Sequence, residues 1–179
     1  MEITKLGQSC FRLKGRRATI LIDPPPELKD LTAHILILSS KKGKASKARG
    51  EPVLIFGPGE YEIREVRIFG TKEKGKRVYK IEIDGLSLLY LGGLQEKMSE
   101  EKVETLNQVD ILFLSTGEPK AASTLVSQLE PLIVIPMEEK GVEDFLKEEG
   151  VGKVERLSKF TITKEELSEE RRIVVLKEM

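Results

Sequence analysis

Few residues in this chain are of a type and spacing that could do chemistry. There is one histidine, His34, and one cysteine, Cys10, in 179 residues. A single imidazole cannot make a zinc site unaided, and a lone thiol in an apolar run reads as a small buried hydrophobe. Glu138 and Glu139 are adjacent carboxylates after an apolar run. Neighbours on an extended chain point to opposite faces, so they do not converge for acid–base work. Ser40 has no base near it except lysine, which leaves a Ser–Lys couple with Lys42 or Lys44 as the only nucleophile the local sequence offers. Lys41, Lys42, Lys44, Lys47 and Arg49 form a cationic stretch with no acid among them, suited to phosphate or another anion. It has no interleaved aromatics on which bases could stack. Gly43-Lys44 is not a phosphate-binding loop, because Leu38 stands where the first glycine is needed and Ala45 where the hydroxyl is needed.

The elements that position these groups fall into two styles. In the first half, residues 2–6, 10–13, 18–22, 34–39, 53–56, 61–63 and 66–69 read as short strands split by turn residues. Asp23 and the prolines after it end the third strand, because proline has no ladder N–H. Residues 78–83 and 86–91 flank Asp84-Gly85, a hairpin signal. The second half alternates. Ser99 caps a helix to about residue 106, and residues 119–129 form another with Ala122, Leu125, Val126 and Leu129 on one face. Residues 142–149 form a third, stopped by Gly150. Strands are expected at 110–114, 132–136, 154–157 and 173–176. A meander followed by alternation predicts two sheets with helices outside, in one domain spanning residues 1–179.

Composition narrows the function classes. Thirty basic and thirty acidic side chains cancel, so no global field favours nucleic acid or membrane. There is no signal peptide or long apolar run, and a cytoplasmic location is the default expectation. The expected partner is an anionic ligand or RNA at the basic stretch. Self-association, through an apolar sheet edge or a vacated site, stays open.

Several segments, in order, resemble the metallo-β-lactamase superfamily, in particular its small Zn-dependent hydrolase-like branch, which includes ascorbate-lactonase-like proteins. They are Leu6-Gly7-Gln8-Ser9-Cys10-Phe11, Ile22-Asp23-Pro24, Gly57-Pro58-Gly59-Glu60-Tyr61-Glu62, Tyr90-Leu91-Gly92-Gly93-Leu94, Asp110 to Leu114, and Ile135-Pro136-Met137. The resemblance implies an α/β (α+β) four-layered αββα sandwich, two mixed β-sheets flanked by helices, with a zinc site at the sheet edge. The ligands do not carry over. Where the family has His-x-His-x-Asp-His, this chain has Ser40, Lys42, Lys44 and Ala45. The family's bridging aspartate is Gly93, its last histidine is Glu138, and the histidine of its opening motif is Gln8. The next histidine would lie in a loop at residues 71–76, which has none. Asp23 keeps the family's aspartate close to the site, where it would accept backbone hydrogen bonds in its turn.

Two ammonium groups repel a divalent cation, and one carboxylate does not replace three or four ligands. The expectation is therefore a degenerate, metal-free member with no catalytic residue and no cofactor, acting as a binding or assembly module. Two alternatives remain: a metal-dependent hydrolase-like enzyme on a lactone or phosphoester with a non-standard site, and a nucleic-acid accessory protein using residues 41–49.

Overall fold

The computed structural model describes residues 1–25, 31–40, 49–152 and 154–179. The apolar-alternating runs of the first half become β1 (Glu2–Lys5), β2 (Phe11–Lys14), β3 (Thr19–Ile22), β4 (Ile35–Ile37) and β5 (Val53–Ile55). Next come β6 (Gly59–Ile63), β7 (Val66–Glu73), β8 (Lys76–Ile83) and β9 (Leu86–Tyr90). The hairpins turn on residues of positive φ. Asp84 and Gly85 sit at φ 53° and 80°, the mirror-image turn that follows the twist of the flanking strands. Residues 71–76 are not the loop expected above. They complete β7 and open β8, with Glu73 opposite Lys76 across a Lys74-Gly75 turn.

The second half holds α1 (Glu100–Leu106), β10 (Ile111–Leu114), α2 (Pro119–Leu129), β11 (Ile133–Pro136) and α3 (Val142–Glu148). Then follow β12 (Arg156–Leu157), β13 (Phe160–Thr161), a 3-10 turn at Lys164–Glu166, β14 (Arg172–Ile173) and β15 (Val175–Leu176). Pro119 opens α2, where its missing N–H is not needed, and Glu130 ends it in a left-handed conformation. The buried face of α2 is Ala122, Leu125, Val126 and Leu129, as its periodicity predicts. Ser99 precedes α1 without a side-chain cap, because its hydroxyl is donated to Glu73 instead.

One sheet runs β13-β1-β2-β3-β4-β5 and the other β14-β11-β10-β9-β8-β7-β6, with β12 and β15 paired separately. Both large sheets are mixed. β3-β4-β5 and β9-β10-β11-β14 are parallel and the remaining pairs antiparallel. The sheets face one another across a core that includes Phe11, Ile20, Ile37, Ile68, Ile81, Phe113 and Ile135. Phe11 meets Phe113 edge to face at 4.9 Å, tying β2 to β10. The outer face of the second sheet packs on the three described helices through Leu89, Leu112, Val126 and Phe145. No described helix is long and apolar enough to cross a membrane.

The expected strand at 173–176 is two strands. Ile173 pairs with Val134 in the second sheet, whereas Val175 and Leu176 pair with β12. β13 was not expected. Its two residues add to β1 as an edge that only tertiary contact defines.

Candidate functional site

Three parallel strands of one sheet end beside two of the other. Asp23 follows β3, Ser39 and Ser40 follow β4, Gly92 and Gly93 lie just beyond β9, Ser115 follows β10, and Glu138 lies just past β11. The carboxyl ends of parallel strands are where open α/β sheets place ligands, because the chain reverses there and leaves a crevice. That the two sheets end together is shown by contacts across them. The Tyr90 hydroxyl on β9 donates to Asp23 Oδ2 at 2.7 Å, and a β-carbon built on Gly92 would stand 3.0 Å from that of Ser39.

Asp23 is held at φ 45°. Its carboxylate accepts from the Ser39 N–H at 2.7 Å, from the Ser39 hydroxyl, and from Tyr90. The sequence expectation of backbone hydrogen bonds is met by one N–H, and two hydroxyls add to it. Burial pushes the Tyr90 phenol well up, and the Asp23 charge beside it adds to this. Burial, followed by Asp23 and Glu178, likewise pushes the Cys10 thiol up to about 12.

Glu138 accepts a hydrogen bond from the Ser115 hydroxyl, whose oxygen in turn accepts from Gln95 Nε2 at 2.8 Å. Gly117 leaves room for this, since a β-carbon there would lie 2.8 Å from Gln95 Nε2. Glu139 points elsewhere, to Arg156 and to buried Lys5 at 3.6 Å. Burial alone would raise the Glu139 carboxyl, but Arg156 and Lys5 outweigh it and hold it below its ordinary value. The two carboxylates diverge, as the extended chain requires.

A cation stands nearby. Arg77, at the start of β8, donates to the Ser39 carbonyl at 3.2 Å and lays its guanidinium 4.0 Å above the Phe56 ring. Its Nε is buried without a hydrogen-bond partner. Tyr79 on the same strand donates to the Leu38 carbonyl at 3.0 Å and accepts from the Gly57 N–H at 3.0 Å, fixing the ends of β4 and β5.

Of the residues singled out from sequence, Asp23, Ser40, Gly93 and Glu138 therefore lie at strand ends on one side of the sandwich. Gln8 is exposed in the turn after β1, and Ser40 is exposed. Lys41, Lys42, Lys44, Ala45 and Lys47 lie outside the described residues. Arg49 is described, and its main chain pairs with Thr32 in an isolated bridge. His34 is at the opposite end of β4, where its Nδ1 accepts from the Thr19 N–H at 2.9 Å. Sequence reasoning missed Tyr90, Ser39, Ser115, Gln95 and Arg77. A tyrosine set among Leu88, Leu89 and Leu91 needs a partner for its hydroxyl, and that signal was available at Tyr90.

The donor set does not suit zinc. Among the described residues no three histidine, cysteine, aspartate or glutamate side chains come together. Both Asp23 oxygens and one Glu138 oxygen already accept protein hydrogen bonds.

Residues 2–138 match the family model of the beta-lactamase superfamily domain. A Thermotoga maritima structure, named provisionally as a Zn-dependent hydrolase of the metallo-β-lactamase superfamily, superposes with a TM-score of 0.88. It is 27% identical, and the match covers 98% of each chain. The isothiocyanate hydrolase from Delia radicum gut bacteria (TM-score 0.63, 12% identity, 84% of this chain and 93% of that one) shares the fold. So does the metallo-β-lactamase fold protein YhfI from Bacillus subtilis (TM-score 0.62, 10% identity, 99% and 96%). No curated protein matches the chain.

Proposed function

This chain belongs to the beta-lactamase superfamily domain family, and we propose that it is a degenerate, metal-free member acting as a binding or assembly module. The observation that carries this reading is the donor set. The described ends of the strands hold an aspartate and a glutamate, and each is bound within the protein rather than directed with others at a common point. Without a divalent ion there is no acidified water and no Lewis acid at this position. Function resides in the site rather than in the fold, so the hydrolase names of similar structures do not transfer.

What these residues do instead is bind and brace. Asp23 and Tyr90 hold the two sheets together at the mouth. Arg77 supplies a cation there, fixed by the Ser39 carbonyl and Phe56, and the cationic sequence at residues 41–49 follows β4 directly. The ligand class this charge pattern supports is a small anion. RNA bound through its phosphates is the macromolecular alternative, and it predicts salt-sensitive binding that Lys42→Glu with Lys44→Glu abolishes.

The deciding experiment is elemental analysis of protein purified without chelator and then offered excess zinc or manganese. Less than about a tenth of an ion per chain is the expected result. One or two tightly bound ions per chain, with chelator-sensitive turnover of a lactone or phosphoester, would overturn the reading in favour of a hydrolase with a non-standard site.

A further inference from the structure

The two large sheets have four edges, and three of them carry charge. β13 is two residues long and follows Lys159, β14 contains Arg172 beside Arg171, and β6 contains Glu60 and Glu62. Short length and charge are how natural sheets keep an open ladder from pairing with another chain. The fourth edge, β5, is also short, at three residues, and follows Pro52, but it carries no charge. No side chain from Pro52 to Phe56 is charged. Val53, Leu54 and Phe56 are 47%, 50% and 42% exposed, and they are three of the five large apolar residues exposed among those described.

The backbone of this edge is set for a further strand. The Val53 N–H donates to the His34 carbonyl at 2.9 Å, and the Ile55 carbonyl accepts from the Leu38 N–H at 3.0 Å. Those residues direct their main chain at β4. Strand alternation therefore turns the N–H and C=O of Leu54 outward.

We infer that β5 pairs antiparallel with β5 of a second copy of this chain, about a two-fold axis through Leu54. In that register each Leu54 exchanges both hydrogen bonds with its mate. Pro52 falls opposite Phe56, where its carbonyl accepts the Phe56 N–H; proline has no N–H to return, so the Phe56 carbonyl at each end of the pairing is left to water. Val53 meets Ile55. Glu51 falls opposite Gly57, so the pairing brings no like charges together, whereas a two-fold contact of β6 about Tyr61 would set Glu60 against Glu62. An uncharged, apolar, self-matching edge is complementary to itself. The contact is small for a specific interface, so the dimer is weak and dissociates on dilution. It does not depend on the metal-free reading. A monomeric protein would leave that reading untouched, and tightly bound metal would leave the dimer untouched.

The test is sedimentation velocity on the full chain from about 1 µM to about 200 µM, because a dimer of this kind obeys mass action. The expected result is a reversible rise toward twice the chain mass, abolished by Leu54→Lys with the thermal transition otherwise retained. Val53→Lys gives the same readout should Leu54→Lys not fold. Leu54→Cys adds a positive control, since opposed residues of a hydrogen-bonded antiparallel pair stand about 5.5 Å apart, within disulfide reach. Mild oxidation should then give a covalent dimer, with native Cys10 buried and uninvolved. A monomer throughout, or an oligomer indifferent to both lysine variants, would overturn the proposal.

Discussion

The Tyr90 hydroxyl lies 2.7 Å from Asp23 Oδ2, and this hydrogen bond joins the two sheets of the sandwich at the mouth, beside those of Tyr79 and Arg77. The same hydroxyl is 3.0 Å from the Ser9 carbonyl. A phenol has one proton to donate, and the shorter contact to the carboxylate takes it. Asp23 thereby has three donors on its two oxygens, which occupy most of its acceptor capacity.

Replacing Tyr90 with phenylalanine removes that donor and leaves the ring. Hydrogen bonds to charged groups contribute about 1.5–3 kcal/mol, so Tyr90→Phe should lower the unfolding free energy by ~2 kcal/mol. For a domain of this length that is several degrees of Tm. Urea unfolding of the two proteins side by side checks it. Equal midpoints would mean that Asp23 is held by Ser39 alone.

Cys10 is 2% exposed, and burial, then Asp23 and Glu178, push its thiol up to about 12. The unfolded thiol titrates at about 8.5. The folded chain thus holds this proton more tightly than the unfolded chain does. The stabilisation is complete below about pH 8.5 and is lost as pH rises toward 12. Relative to Cys10→Ala, the wild type should lose up to about 1.4 kcal/mol per pH unit in that window. Parallel urea titrations at pH 8, 9.5 and 10.5 measure the difference, taking those as about the useful points on the curve. A thiol-labelling reagent at about pH 8 should find no reactive group until the protein unfolds.

The strong local signals in the sequence were the ones that survived. The four apolar residues of α2 at helical spacing, and the Asp84-Gly85 hairpin, are where they were expected. The misses have a common cause. Residues 71–76 were expected as a loop through the family resemblance. Thr71, Lys72, Glu73 and Lys76 are strand because each has a cross-strand partner, such as Lys72 with Arg77, and only Lys74-Gly75 turns. Ile173 to Leu176 is one apolar run that tertiary contacts divide between two ladders. At the site, the places of Asp23 and Glu138 just past strand ends could be read from the apolar runs before them. The Ser115–Glu138–Gln95 chain could not, since it joins residues from three separate segments.

Asp110 is a buried carboxylate whose side chain is 1% exposed. It accepts from Lys164 Nζ at 2.8 and 2.9 Å and from the Ser87 N–H at 2.8 Å. Lys164 lies in the 3-10 turn that the sequence did not announce, so this ion pair fixes the turn to the start of β10. Lys164→Met removes the charge and leaves Asp110 with the Ser87 donor. Breaking a buried pair from one side costs up to about 3–5 kcal/mol, but Lys164 is partly exposed and water can replace it, so a loss of about 1–2 kcal/mol is expected. Thermal unfolding of Lys164→Met reads it. Pairing the change with Asp110→Asn should recover part of the loss, because the orphaned charge is then gone.

Gly92 and Gly93 are neighbours with opposite prospects, and the contrast probes the mouth directly. Both have positive φ, 56° and 80°. A β-carbon on Gly92 would stand 2.1 Å from the Arg77 carbonyl oxygen and 3.0 Å from the Ser39 β-carbon, so either strand must move. A β-carbon on Gly93 would meet nothing within 4 Å. Gly92→Ala should therefore destabilise by several kcal/mol, about the upper range for single substitutions, and reduce soluble yield. Gly93→Asp introduces the aspartate that the family resemblance implies at this position. Aspartate tolerates a left-handed conformation better than most residues, and strain there costs about 1 kcal/mol. The variant should fold with only a small loss of Tm and still bind no stoichiometric zinc, because one added carboxylate supplies a single ligand where three or four are needed. Titrating zinc into Gly93→Asp by calorimetry decides the matter: tight binding from this one change would mean that the remaining ligands are already in place.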